Sequence, residues 1–371
     1  MSRKDTRRVI DNASPHTVKK FEVIAGYVTE WKEKLLMTPQ CKNLIFIDCM
    51  SGSGEYTDID GKQVFGTPVR AAGLLREAAE RYPKKNIYAV FNDIDAEKIA
   101  HLKTLVNNGT GNYYVSFHNE DCNKLIRELR QKILGRKDTH YLLVYDPYDA
   151  AIDWDAVMPF LNGWGEVIIN HMISDSMRAI GSVKRQEAVS KYEATYQKAL
   201  VELVEWGSDR KKYEECIEGI IRSLHEWKGR EYYIASFPFF NSKNSLVYDL
   251  IFCTGHIKGF TLFKKTAWQV FGGSSSNKNT HGQERQGTFE FYQKDASDEY
   301  CYHVDDIVRY LQSKFAGRKD VQIAEMRDTL DKHPVFPSNS FIKSIKKELK
   351  RKYGAVISRS TITFSRMEIL S

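Results

Sequence analysis

The feature that most narrows the fold is a recurrence: short apolar runs that stop at a loop carrying an acid, most of them followed by a helical pattern. Leu44-Ile45-Phe46-Ile47 runs into Asp48 and a Gly/Ser loop. Asn86 to Phe91 stops at Asp93-Ile94-Asp95, Tyr113 to His118 at Asn119-Glu120-Asp121, and Tyr141 to Tyr145 at Asp146-Pro147, while Glu166 to Asn170 makes a fifth run. Runs of this length read as buried parallel strands, whose two faces are both covered. Helical spacing of Phe21, Ile24, Val28, Trp31 and Leu35 marks a helix over Thr17 to Leu36. Thr67-Pro68 opens another through Leu75, with Thr67 as its cap, and a third starts at Ala96. Five strands interleaved with helices predict a doubly wound, Rossmann-like α/β sheet.

After Ser174 the pattern changes. A highly charged helical stretch predicts a helical insertion over about 175–230. Tyr232 to Phe239 and Ser245 to Phe252, separated by a polar loop, predict an antiparallel pair that closes an α/β domain spanning 1–271. The polar, glycine-rich stretch from Gly272 to Gly287 predicts a linker, 272–300. Residues 301–371 show three helical patterns and then β-like runs at Ala355 to Ile357 and Thr361 to Phe364, the order of a winged helix.

Charge points to the same segment. The whole chain has 55 Lys+Arg against 48 Asp+Glu, a net +7 that decides nothing. Residues 301–371 hold fourteen Lys/Arg against eight Asp/Glu, so nearly all of the excess lies there. A helix expected over Phe341 to Tyr353, capped by Ser338 or Asn339, carries Lys343, Lys346, Lys347, Lys350, Arg351 and Lys352 against Glu348 alone. Such a helix suits a phosphate backbone, a solvated helix on an interaction domain being the alternative.

The six cysteines show no zinc-ligand spacing, and no metal is expected; their pattern fits a reduced, cytoplasmic protein. The basic N-terminus has no apolar stretch behind it and no run is long enough to cross a bilayer, so neither signal peptide nor membrane anchor is expected.

In open α/β sheets ligands bind outside the carboxyl ends of the strands. The first such loop, Asp48-Cys49-Met50-Ser51-Gly52-Ser53-Gly54-Glu55, has two glycines that permit close backbone approach. It lacks a Walker lysine and a third Rossmann glycine, and Glu55 would repel a pyrophosphate. Asp93 stands where an acid accepts both ribose hydroxyls, and Asp95 where a helix cap is wanted. Asp121 suits either an adenine amino group or a cap. Pro147 holds Asp146 extended and so presents it in one orientation.

Together these loops resemble those of class I S-adenosylmethionine-dependent methyltransferases. The resemblance implies S-adenosylmethionine as cofactor, with Asp48, Ser51, Gly52 and Gly54 at the methionine part, Asp93 at the ribose, and Asp121 with Cys122 at the adenine. FIDCMSGSGEY, Gly66-Thr67-Pro68, NDID, Asp146-Pro147-Tyr148-Asp149 and SLVYDLIFCTGH resemble the three-Cys-motif partner proteins, from about Lys20 to the C-terminal module. That family is named for a genomic neighbour, which implies a neighbour-encoded protein with a three-cysteine motif as a partner.

The first loop is also similar to that of ribosomal-RNA adenine N6-methyltransferases with an Asp-Pro-Pro-Tyr motif. There the carboxylate and a carbonyl accept from the amine while the aromatic ring stacks on the base. By this resemblance Asp146, Pro147 and Tyr148 are the catalytic positions, with RNA or DNA as substrate, although the tyrosine stands one place early and the second proline is missing. A binding protein with a degenerate cofactor site, and a methyltransferase of a protein or small molecule, are the alternatives. Cys49 and Cys122 read as small buried residues, His171 as structural, and Tyr232, Tyr233, Phe237, Phe239 and Phe240 as core.

Overall fold

A computed structural model of the chain describes residues 9–182, 185–226, 231–278 and 300–366. The chain enters through β1 (Asp11–Asn12) and α1 (Pro15–Leu36), whose first turn Ser14 caps by accepting from the Thr17 amide. Then come β2 (Asn43–Asp48), a hairpin of β3 (Glu55–Thr57) and β4 (Gln63–Phe65), α2 (Thr67–Arg81), β5 (Asn86–Asn92), α3 (Ala96–Leu105) and β6 (Tyr113–His118). They are followed by α4 (Cys122–Ile133), β7 (Thr139–Tyr145), α5 (Trp154–Leu161) and β8 (Glu166–His171). Helices α6 (Ile173–Ala179), α7 (Gln186–Tyr196), α8 (Leu200–Trp206) and α9 (Arg210–Leu224) lead to β9 (Tyr233–Phe240), β10 (Leu246–Thr254) and α10 (Ile257–Val270).

Seven strands form one sheet in the order β6-β5-β2-β7-β8-β10-β9. The first five in that order are parallel, and β10 runs antiparallel to both its neighbours. Strand order reverses at β2: β5 and β6 lie on one side of it and β7 and β8 on the other. The topological switch point is therefore between β2 and β7. The result is a mixed, doubly wound α/β sheet.

Strand alternation assigns the layers. Leu44 and Phe46 face α1, α2 and α10, where Val28, Leu75 and Phe263 are buried; Ile45 and Ile47 face α4, α5 and α9, with Ile126, Phe160 and Ile221. The stretch expected as an insertion is thus a covering layer of the sheet. Its Tyr196, Leu203, Tyr213 and Ile217 are buried with Ile169, because an apolar stripe at helical spacing needs a surface to cover.

Three local expectations need correction. Gly66, not Thr67, occupies the cap position of α2, and a Cβ there would come within 2.6 Å of the Tyr56 ring. Ser338 donates to the Asp331 carboxylate instead of capping, and a short 3-10 turn, Asn339–Phe341, leads into the basic helix. The stretch expected as a linker begins as packed structure, with Ser274, Ser275 and Ser276 buried and the Ser275 amide bonded to the Tyr302 carbonyl at 2.9 Å. Its remaining residues, 279–299, lie outside the described residues.

The C-terminal module comprises α11 (Val304–Phe315), β11 (Val321–Gln322), α12 (Ile323–Lys332), α13 (Ile342–Tyr353), β12 (Val356–Ile357) and β13 (Thr361–Thr363). Its three strands form an antiparallel sheet in the order β11-β13-β12. It docks on α10. There the fully buried Lys264 ammonium donates to the carbonyls of Leu330, Asp331 and His333 at 2.9, 2.8 and 2.6 Å. One turn on, the Trp268 indole donates to the Val335 carbonyl at 3.0 Å.

Candidate active site

The loops at the carboxyl ends of β2, β5 and β7 converge at the switch point. Gly52 and Gly54 both have positive φ, 62° and 77°, which a side chain would resist. Space is short as well: a Cβ on Gly52 would meet the Tyr56 hydroxyl at 2.6 Å, and one on Gly54 would meet Leu102 at 2.5 Å. Ser51 anchors the loop, its hydroxyl donating to the Asp48 carbonyl and its amide to the Asn92 carbonyl. The β3–β4 hairpin intervenes in sequence, yet the start of α2 lies against the loop: its cap residue Gly66 donates its amide to the Gly54 carbonyl at 2.9 Å.

Three carboxylates gather here. Asp93, 1% exposed, accepts from the Gly52 amide (2.9 Å) and the Tyr148 hydroxyl (3.1 Å) on Oδ2, and from the Asp95 amide (2.9 Å) on Oδ1. Asp146 pairs through Oδ2 with Lys20 of α1, while its Oδ1 accepts from the Asn170 amide at 2.6 Å. Asp48 is buried, and burial together with Asp146 pushes its carboxyl up to about 7.

This last shift carries a sign. A carboxyl raised in the folded state binds its proton more tightly there than in the unfolded chain, so its contribution to stability falls as pH rises from about 4 through 7. Asp48→Asn removes that titration. The variant's stability relative to the parent should increase by about 2–4 kcal/mol between pH 4 and pH 8, on the scale of 1.4 kcal/mol per pKa unit. Chemical denaturation at the two pH values reads it, and a pH-independent difference would refute the burial assigned to Asp48.

The other expected positions separate into distinct roles. Asp95 caps α3, accepting from the amides of Glu97 and Lys98. Asp121 is exposed and caps α4 through the Lys124 amide at 3.0 Å. Burial pushes the Cys122 thiol up to about 12 and the Cys49 thiol well above its ordinary value, so neither is a nucleophile. His171 follows Asn170 in β8 and points to the opposite face. Its Nε2 bonds the Tyr196 hydroxyl at 2.8 Å, and burial, then Arg210, lowers it to about 3. Phe237 and Phe239 are fully buried against Phe263, Phe271 and Tyr248.

Lys20, Asn170 and Tyr56 are the residues that sequence reading did not single out. Lys20 left a trace: it lies on the apolar stripe of α1, four residues before Ile24, where a lysine needs a buried partner. Tyr56 packs on Phe21 with ring centroids 4.9 Å apart and sets its hydroxyl beside the glycine loop. Asn170 ends an apolar strand, and only the strand order shows that it neighbours Asp146.

On α13, Ile345 and Leu349 are buried, while Lys343, Lys347 and Lys350 are exposed and Lys346 is half-buried on the opposite side. Arg351 is held by Glu348 at 2.5 Å, and Lys352 by Asp305 at 2.5 Å. The four lysines have no ion-pair partner among the described residues.

No family model and no curated protein matches this sequence. Among solved structures, it is similar to the Legionella pneumophila protein LPL1258, of the family model DUF519, at 11% identity over 68% of this chain and 92% of that one, with a TM-score of 0.42. Human methyltransferase-like protein 13, in complex with SAH, is similar at 12% identity over 67% and 91%, with a TM-score of 0.32. A SAM-dependent methyltransferase from Agrobacterium tumefaciens is similar at 10% identity over 61% and 59%, with a TM-score of 0.29. At such distances the functional reading rests on the chain's own residues.

Proposed function

We propose that this protein is an S-adenosylmethionine-dependent methyltransferase that modifies a nucleic-acid base at an exocyclic amine. The observation that carries the reading is the surplus of acid at the switch point: Asp93 and Asp146, joined by Asp48 as pH rises through about 7, against Lys20. Such a site attracts a cationic sulfonium cofactor and repels the phosphates of a nucleotide cofactor. Bound there, the cofactor supplies a methyl group on sulfur that an amine attacks directly, leaving a neutral thioether and releasing a proton. Asp93 holds the ribose, and the tight Gly52–Gly54 turn, which positive φ at both glycines allows, receives the methionine part. Asp146, fixed by Lys20 and Asn170, accepts a hydrogen bond from the amine and so orients its lone pair.

The nucleic-acid part of the reading is supported by the lysine stripe of α13, in a module with the element order of a winged helix. A neighbour-encoded protein with a three-cysteine motif is proposed as a partner on the resemblance alone. Calorimetry with S-adenosylmethionine tests the cofactor. The parent should bind and Asp93→Ala should lose at least about tenfold in affinity, as expected when a charged hydrogen-bond partner is removed. Labelled methyl transfer tests the substrate: label entering RNA or DNA, with affinity falling as salt rises, supports a base, and label in a protein band overturns it.

A further inference from the structure

The contact between Tyr148 and Asp93 joins the carboxylate that the proposed reaction assigns to the ribose with the tyrosine that the resemblance assigns to the substrate base. A carboxylate offers about four lone-pair directions. Asp93 has three of them filled, by Gly52, Asp95 and Tyr148. A ribose diol brings two donors to that same carboxylate. Gly52 and Asp95 give backbone amides that build the loop and the α3 cap, and neither can leave without unmaking the local fold. Tyr148 can leave. Its residue is 65% exposed, and its ring is held from one side by Lys98, whose ammonium lies 5.5 Å from the ring centre and is itself tied to Asp11 at 2.6 Å. Burial of the hydroxyl and the Asp93 carboxylate raise the phenol further above its ordinary range, so at neutral pH it remains a donor.

We infer that Tyr148 is a cofactor-sensing gate: its hydroxyl holds the ribose-accepting position of Asp93 until the diol displaces it, and the ring is thereby freed toward the substrate base. This rests on the methyltransferase reading and adds an order of binding to it, cofactor first and nucleic acid second. The tyrosine lies two residues from Asp146 on the same turn, so the ring released by the cofactor belongs to the segment that positions the amine acceptor. The early placement of tyrosine after Pro147 then has a consequence. It brings the hydroxyl within reach of Asp93.

The sign of the expected effect distinguishes this from a structural role. Removing a competitor tightens binding, because the apparent dissociation constant is the intrinsic one divided by the competent fraction. Calorimetry with S-adenosylhomocysteine should show Tyr148→Phe binding about three- to tenfold more tightly than the parent, the range for one hydrogen bond of ordinary net strength. Tyr148→Leu should bind S-adenosylhomocysteine as tightly as Tyr148→Phe and show weaker affinity for single-stranded nucleic acid, having lost the aromatic face. Unchanged or weaker S-adenosylhomocysteine binding in Tyr148→Phe overturns the gate while leaving the methyltransferase reading intact. Absence of binding in the parent, Tyr148→Phe and Tyr148→Leu alike overturns both.

Discussion

Asp146→Ala is expected to bind S-adenosylmethionine within a few-fold of the parent and to transfer methyl groups at least about a hundredfold more slowly, the usual cost of losing a positioned acceptor. The substitution does a second thing. Lys20 is 8% exposed, and without Asp146 its ammonium is left in a largely buried place with no carboxylate of its own. The single variant should therefore also lose up to about 3 kcal/mol of stability, somewhat less than for a fully buried pair. Lys20→Met combined with Asp146→Ala should recover most of that stability and none of the activity. If the double variant regained methyl transfer, Asp146 would be an electrostatic partner of Lys20 and nothing more.

Trp268→Ala should be the most destabilising single change in the joint between sheet body and C-terminal module, at about 3–5 kcal/mol. The side chain is fully buried, meets Phe341 and Phe336 edge-on with ring centres 5.4 and 6.3 Å away, and donates to the Val335 carbonyl. The truncation leaves both a cavity and an unpaired carbonyl. Denaturant titration gives the loss, and limited proteolysis should show cleavage entering near residue 300 before the α/β body is cut. A loss below about 1 kcal/mol would mean that the joint repacks around the gap.

What the sequence disclosed follows from what local pattern encodes. The five parallel strands were legible because each is a short, largely apolar run and four of them are closed by an acid, as with Leu44 to Asp48. The covering role of α7 to α9 was hidden by their charge: residues such as Tyr213 and Ile217 form a stripe, but what the stripe covers is a long-range fact. Helix α10 escaped because Gly259 and the pair Lys264-Lys265 interrupt its apolar pattern. Both have reasons outside the segment. A Cβ on Gly259 would come within 2.1 Å of the Glu166 carboxylate, and Lys264 finds three carbonyls that lie some seventy residues downstream. At the site, the loop acids could be read because acids at strand ends are local signals. The pairing of Lys20 with Asp146 could not, since 126 residues separate them.

The docking of Lys264 and Trp268 fixes more than stability. A module fastened to α10 through a buried ammonium and an indole cannot swing as a tethered domain does, so the lysine stripe of α13 stands at a set distance from Asp146. Under the proposed function, with a polynucleotide gripped at one end and modified at the other, that span would act as a ruler. The number of nucleotides between anchor and target would then be chosen by the protein's own dimensions, and lengthening or shortening the joint would move the modified position along the strand.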